Sequence, residues 1–212
     1  MNTQVNILTA YLAATDSRDK LLKGAGALFK LLGVMFSNDH YMKFGAATSD
    51  ARSLMRLLVW VNNVKKLSEA AERRVVVPRD VLYITRITLD GVFALLDNVV
   101  YLGQCLFRNQ VCLGELSYYS RAALFYGYVA AVLLDLYDLI HDKTMVHRYD
   151  RLLVLTRNVC DMVSCIGNVT TKLNPGVAVN SALGLLSAII ATRELYGSAV
   201  KAVGAHRAIG IK

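Results

Sequence analysis

Apolar and charged positions separate most sharply between Asp16 and Phe36, in the stretch DSRDKLLKGAGALFKLLGVMF. At 100° per residue, Leu21, Leu22, Ala25, Leu28, Phe29, Leu32, Met35 and Phe36 fall on one arc. Asp19, Lys20, Lys23 and Lys30 fall opposite, with Gly24, Gly26 and Ala27 between the two faces. The spacing predicts an amphipathic helix, begun by Asp16 or Ser17, whose side-chain oxygen caps the first free N–H groups. Gly24, Gly26 and Gly33 each lower its intrinsic helicity by about 1 kcal/mol relative to Ala. The segment therefore orders best where something apolar receives it. Such a helix suits the boundary between lipid headgroups and acyl chains, and it equally suits a protein core. The pattern alone leaves both open.

The rest of the chain reads as helices separated by short breaks. A short helix over Val5 to Ala14 precedes the amphipathic one, and the loop Ser37 to Tyr41 ends it. A long basic amphipathic helix is predicted from Ser49 to Arg74, with an apolar stripe of Leu54, Leu57, Leu58, Val61 and Val64. Arg52, Arg56, Asn63, Lys66 and Arg73 lie elsewhere on it. Pro78 disfavours helix at Val77 and breaks this element. Three apolar segments follow, Val81 to Phe107, Leu116 to Ile140 and Leu173 to Thr192.

The last of these, 173–192, is the best span. Twenty residues without charge separate Lys172 from Arg193, enough to cross roughly 30 Å of hydrocarbon. Gly176, Asn180, Gly184, Ala188 and Thr192 recur every fourth position and form a small-residue stripe suited to self-association in lipid. A buried core helix would carry the same stripe. The segment 81–107 is a candidate first span burdened by Arg86, Asp90 and Asp97, each costing about 2.5–3.5 kcal/mol at the bilayer centre. Leu116 to Ile140 has a clean apolar core of only thirteen residues before Asp135 and Asp138, which is short for a crossing.

Composition moves the balance toward lipid. Of 212 residues, 55% are apolar and only 19% charged, against about a quarter charged in ordinary soluble domains. Mean hydropathy is +0.39. With two prolines the chain reads as all-α, and its length fits one domain over 1–212. The net charge of +8 favours an anionic partner. The basic residues are scattered among apolar runs and form no stripe with aromatics, so phospholipid is expected and nucleic acid is not. The opening fifteen residues carry no positive charge ahead of their apolar positions, so no cleavable signal is expected, and Cys105, Cys112, Cys160 and Cys165 read as free thiols.

Catalytic chemistry is thin. His141, Asp142, His147 and Asp150 cluster in HDKTMVHRYD, but histidines six apart do not share a helix face, and a hydrated turn explains them better than a metal site. GAGALFKLLG lacks the GK[ST] that closes a phosphate loop, and no Ser or Cys sits in a nucleophile elbow. No catalytic, cofactor or metal residues are assigned, and an enzyme is not expected.

Four segments resemble the peroxin-11 family of peroxisomal membrane proteins: TDSRDKLLK at 15–23, LLDNVVYLGQCLF at 95–107, RNVCDM at 157–162, and GLLSAIIATRELY near the end. Their order and spacing agree from about Thr15 to Tyr196. The resemblance implies a factor that elongates and divides peroxisomes through an N-terminal amphipathic helix entering the cytosolic leaflet. Leu21, Leu22, Ala25, Leu28, Phe29, Leu32, Met35 and Phe36 would insert, and Arg18, Lys20, Lys23 and Lys30 would meet headgroups. Short members on glycosomes are similar. Peroxisomal import and division factors are the implied partners, and the stripe Gly176, Asn180, Gly184 and Ala188 would join copies into a homo-oligomer.

The expectation is thus an all-α membrane-associated protein with an N-terminal amphipathic helix and one or two membrane segments. It would shape a peroxisomal or glycosomal membrane and prefer anionic lipid. Two other classes stand beside it. Charges inside the apolar segments would suit a metabolite pore, and basic helix faces would suit a soluble scaffold.

Overall fold

The computed structural model describes residues 3–72, 77–106, 111–141 and 148–208. Those residues form eight α-helices and no strand. They are α1 (Thr3–Ala13), α2 (Thr15–Met35), α3 (Asp39–Met55), α4 (Val59–Ala71), α5 (Pro78–Leu106), α6 (Val111–His141), α7 (Arg148–Val169) and α8 (Val177–Ala208). A single 3₁₀ turn, Thr171–Leu173, joins the last two.

Local chemistry sets the boundaries. Ala14 stands at the N-cap of α2 with no side-chain hydrogen bond, so neither Asp16 nor Ser17 caps it. Asp16 instead lies inside the first turn, where its charge complements the helix dipole. The helix closes through Ser37, whose φ of 50° lets Asn38 N–H reach Gly33 O at 2.9 Å. Asn38 then caps α3, its Oδ1 accepting from His40 N–H at 2.9 Å. The expected Ser37–Tyr41 loop is thus only a three-residue break, Phe36 to Asn38.

The single basic helix expected over Ser49 to Arg74 is two helices, because Leu58 adopts a left-handed φ of 66°. That conformation is costly for a leucine. It turns the chain so that Arg56 lies 3.2 Å from Asp97 and 5.3 Å from the Phe93 ring centre, both on α5. Arg73 and Arg74 lie outside the described residues, as do Phe107 and 142–147.

Pro78 opens α5 where its missing N–H is unneeded. α5 and α6 form an antiparallel hairpin, with Gly103 against Leu113 at one end and Gly127 against Asp90 at the other. α6, α7 and α8 continue the row, α2 packs on α8, and α3 packs on α2.

α8 begins after Gly176, whose φ of 86° is not helical. Gly176 therefore stands outside the small-residue stripe, which starts at Asn180. Beyond Thr192 the helix runs on through Arg193 and Glu194 to Ala208.

What is buried and what is exposed run opposite to a water-soluble bundle. Alanines (Ala94, Ala130, Ala131, Ala188, Ala191) and polar groups (Ser17, Asp19, Asn98, Asn158, Asp161, Ser187) make up most of the interior, with Ile87, Val100, Leu134 and Ile190 among them, while leucines, valines and tyrosines dominate the exposed large side chains. Among the described residues four helices are long and apolar enough to cross a membrane: Pro78–Leu106, Cys112–His141, Arg148–Val169 and Val177–Gly204. Only 17–28% of the most apolar stretch of each is buried within the protein, so most of that apolar surface requires apolar surroundings. One or two such segments were expected: the α6 segment, Leu116 to Ile140, was read as short for a crossing, and α7 was not picked out.

Candidate functional site

α2 keeps its two faces apart, with the small and charged face turned inward. Leu21 and Leu28 are each 40% exposed, Met35 67% and Phe36 66%. Leu22, Ala25, Phe29 and Leu32 are half-buried, and the Phe29 ring lies 4.4 Å from Phe44 and 5.9 Å from Tyr41 on α3. The fully buried residues of α2 are Ser17, Asp19, Gly26 and Gly33. No large apolar side chain of the helix is fully buried.

Glycine and alanine let the backbones approach. A Cβ on Gly26 would collide with Thr48, and one on Gly45 would come within 3.0 Å of Gly26 O, so α2 and α3 meet at a glycine pair. Toward α8, the position of a Gly24 Cβ lies 3.3 Å from Ala188 Cβ, and that of a Gly184 Cβ 3.6 Å from Ala27 Cβ. These pairs run in opposite senses, so α2 is antiparallel to α8. Tyr11 and Tyr196, with ring centres 5.9 Å apart, extend the contact through α1.

Charge completes the seat. Asp19 accepts two hydrogen bonds from Arg52, at 2.9 and 3.3 Å, and Lys20 lies 3.4 Å from the same carboxylate. Burial pushes the Asp19 carboxyl up, but Arg52 outweighs it, with help from Lys20 and Arg56, and holds it below the ordinary range. Lys23 Nζ donates to Asp161 Oδ1 at 2.5 Å and to Ser187 Oγ at 2.8 Å. Burial draws the Lys23 ammonium below its ordinary value against the opposing pull of Asp161. Lys30 donates to Ser49 Oγ at 3.0 Å, and its value is also lowered, by burial and by Arg52.

The four residues expected at headgroups thus divide. Arg18 is exposed and donates to Thr15 Oγ1 at 3.3 Å, and Lys20 is half-buried. Lys23 and Lys30 turn inward onto α7, α8 and α3. The expected self-association stripe divides too: Gly184 and Ala188 are covered by α2, and Asn180 donates to Asn174 Oδ1 at 3.3 Å. Asp161 and Ser187 went unrecognised. The signal for Asp161 was a lone carboxylate in the otherwise neutral stretch Asn158–Val169 of α7.

The charges of the candidate first span are paired within the chain. Asp97 faces Arg56, and Asp90 lies 3.7 Å from Arg86. Deeper in the bundle Asn158 donates to Asp135 at 2.6 Å, while both amide atoms of buried Asn98 lack a partner among the described residues. Of the HDKTMVHRYD cluster, His141 stacks on Tyr137 at 4.0 Å and Asp150 lies 3.8 Å from Arg193, while Asp142 and His147 lie outside the described residues. A second amphipathic surface lies on α3 and α4. Leu54, Leu58, Val61 and Val64 are exposed, with Lys65 and Lys66 beside them.

A family model described as peroxisomal biogenesis factor 11 (PEX11) matches residues 5–147. The match takes in α2 through α6 whole, and with them two of the segments that carry the resemblance, 15–23 and 95–107. RNVCDM and GLLSAIIATRELY lie beyond it. No curated protein and no solved structure matches the chain.

Proposed function

The chain belongs to the peroxisomal biogenesis factor 11 family, which acts at the peroxisomal membrane, and from that premise we propose that it bends this membrane by inserting α2. The observation that carries the reading is the apolar face of α2. Leu21, Leu28, Met35 and Phe36 remain exposed, while the residues α2 buries fully are small or charged: Ser17, Asp19, Gly26 and Gly33. Set about 5–10 Å into one leaflet, that face expands the leaflet and curves the bilayer toward the inserted side. Arg18 and Lys20 are placed to meet anionic headgroups, and Lys23 and Lys30 join them once α2 leaves its seat. The exposed row Leu54, Leu58, Val61 and Val64 offers a second apolar face beside Lys65 and Lys66.

Self-association through Asn180, Gly184 and Ala188 requires that α2 has left α8, because Ala27 and Gly24 occupy the same small-residue surface. Wedge and oligomer then arise together, and many wedges acting side by side elongate the organelle and prepare it for division. Glycosomes would be remodelled in the same way. Import and division factors would join the assembled form.

Giant vesicles of mixed neutral and anionic phospholipid, reconstituted with the full chain, test the reading. Tubules are expected from the parent and spherical vesicles from Leu28→Glu. Equal tubulation by both would remove α2 as the wedge.

A further inference from the structure

α2 cannot lie flat at the membrane surface while it sits on α8. The pairs Gly24–Ala188 and Ala27–Gly184 align it along α8, whose segment Val177–Gly204 is long and apolar enough to cross a bilayer. A helix seated in that way shares the inclination of its neighbour. The seated form and the inserting form are therefore two states of one protein, and something must hold the first.

What holds it is polar. Where their backbones come closest, α2 and α8 bring together glycines and alanines, Gly24 with Ala188 and Ala27 with Gly184, which bury little apolar area. The fully buried residues of α2 are serine, aspartate and glycine. At the centre of the contact stands Lys23, only 14% of its side chain exposed, bridging Asp161 of α7 and Ser187 of α8. Gly24, next along the chain, is the residue that meets Ala188, next after Ser187. Helix approach and ion pair thus occupy the same turn and form or break together.

We propose that Lys23, Asp161 and Ser187 form an autoinhibitory latch that keeps α2 on α8, and that anionic lipid opens it by drawing Lys23 to its net negative headgroups. The inference rests on the proposed insertion of α2. Phosphate oxygens offer the Lys23 ammonium the same charge-assisted hydrogen bonds that Asp161 and Ser187 supply. Lys20 lies on the same helix and is half-buried, which places a second cation to draw headgroups toward the seat. Opening also brings Leu21, Leu28 and Met35, exposed along the upright seated helix, to one depth in one leaflet. In a neutral membrane each phosphate is already balanced by the choline cation of its own headgroup, so Lys23 gains no net anionic partner and the latch stays closed.

A disulfide across the contact reads the latch directly. The Cβ positions of residues 27 and 184 lie 3.6 Å apart, within the range a disulfide bridges. Ala27→Cys with Gly184→Cys, in a full chain whose four native cysteines are replaced by alanine, is reconstituted into three preparations. These are phosphatidylcholine vesicles, vesicles of phosphatidylcholine with phosphatidylserine, and phosphatidylcholine vesicles with added inorganic phosphate. Cross-linking yield is expected to be high in the first and third and several-fold lower in the second. Adding Asp161→Asn should lower the yield several-fold even in phosphatidylcholine, and exchanging the charges, Lys23→Asp with Asp161→Lys, should restore it. A yield unchanged by Asp161→Asn, or as low in the exchanged pair as in Asp161→Asn, overturns the latch. An equal fall with inorganic phosphate overturns lipid as the opener. Vesicles that stay spherical while the yield follows this pattern would sink the wedge and leave the latch standing.

Discussion

Asp19 and Arg52 face each other across α2 and α3 as a two-pronged pair, Nε to Oδ1 at 2.9 Å and a second guanidinium nitrogen to Oδ2 at 3.3 Å. The carboxylate is buried, and the pair lies one helical turn from Lys23. Arg52 thus pins α2 from one side while Asp161 pins it from the other.

That pair predicts acid sensitivity. Asp19 is held below its ordinary value of 3.8, so between the two values the unfolded chain binds more protons than the folded one. Its contribution is full above pH 3.8 and is lost as pH falls through the lowered folded value. Asp19→Asn should destabilise the protein at neutral pH by roughly 1.5–3 kcal/mol, as expected for hydrogen bonds to charged groups. It should also flatten the loss of stability on acidification. Thermal unfolding of the reconstituted chain by circular dichroism, from neutral pH downward, measures both.

Leu28→Glu should leave the seated fold intact, because Leu28 is 40% exposed. Withdrawing one leucine from lipid forfeits about 1.5–3 kcal/mol, which weakens insertion roughly 10- to 100-fold. Tubulation should collapse while the melting profile stays put. A lowered melting temperature would show instead that Leu28 supports the bundle.

Arg18 and Lys20 should act through charge. Changing both to serine removes about 1 kcal/mol of attraction per residue near an anionic surface. Tubulation of anionic vesicles should fall steeply while behaviour in neutral ones is unchanged. Lys23→Ser should differ in kind, since it also frees α2 from Asp161.

The close approach of α2 and α3 should tolerate no side chain at Gly26. A Cβ there meets Thr48, so Gly26→Ala overpacks the contact and costs about 1–3 kcal/mol. Gly197, on α8 with nothing within 4 Å, is the contrast: Gly197→Ala should be neutral or stabilise by up to about 1 kcal/mol through helix propensity. Melting temperatures of the two variants decide.

Helices were legible wherever a long unbroken pattern specified them, and α2 appears within a residue of its expected ends. The break between α3 and α4 was not, because nothing local marks Leu58 as left-handed, and the Arg56 contacts that accompany the turn, with Asp97 and Phe93, lie far along the chain. α7 was missed because Arg157 and Asp161 interrupt its apolar run, yet both are paired within the bundle, with Glu194 and Lys23. The helical projection separated the lysines of α2 from its leucines correctly. Which face would turn inward depended on a carboxylate 138 residues further along, a relationship beyond any local pattern. The stripe on α8 was read from its spacing, but that Gly24 and Ala27 of the same chain would fill it was not.

The depth of three residues tests the central claim most directly. Leu21, Leu28 and Met35 lie on one face of α2, two turns apart, and are separated along the helix by about 10 Å each. Single cysteines at these positions, in the chain without its native cysteines, can carry a fluorescent label whose depth is read by lipid-borne quenchers. In anionic vesicles all three labels should report one shallow depth, about 5–10 Å into the leaflet. Depths that step steadily from the label at 21 to the label at 35, over roughly 20 Å, would mean that α2 stays upright beside α8 and is no wedge.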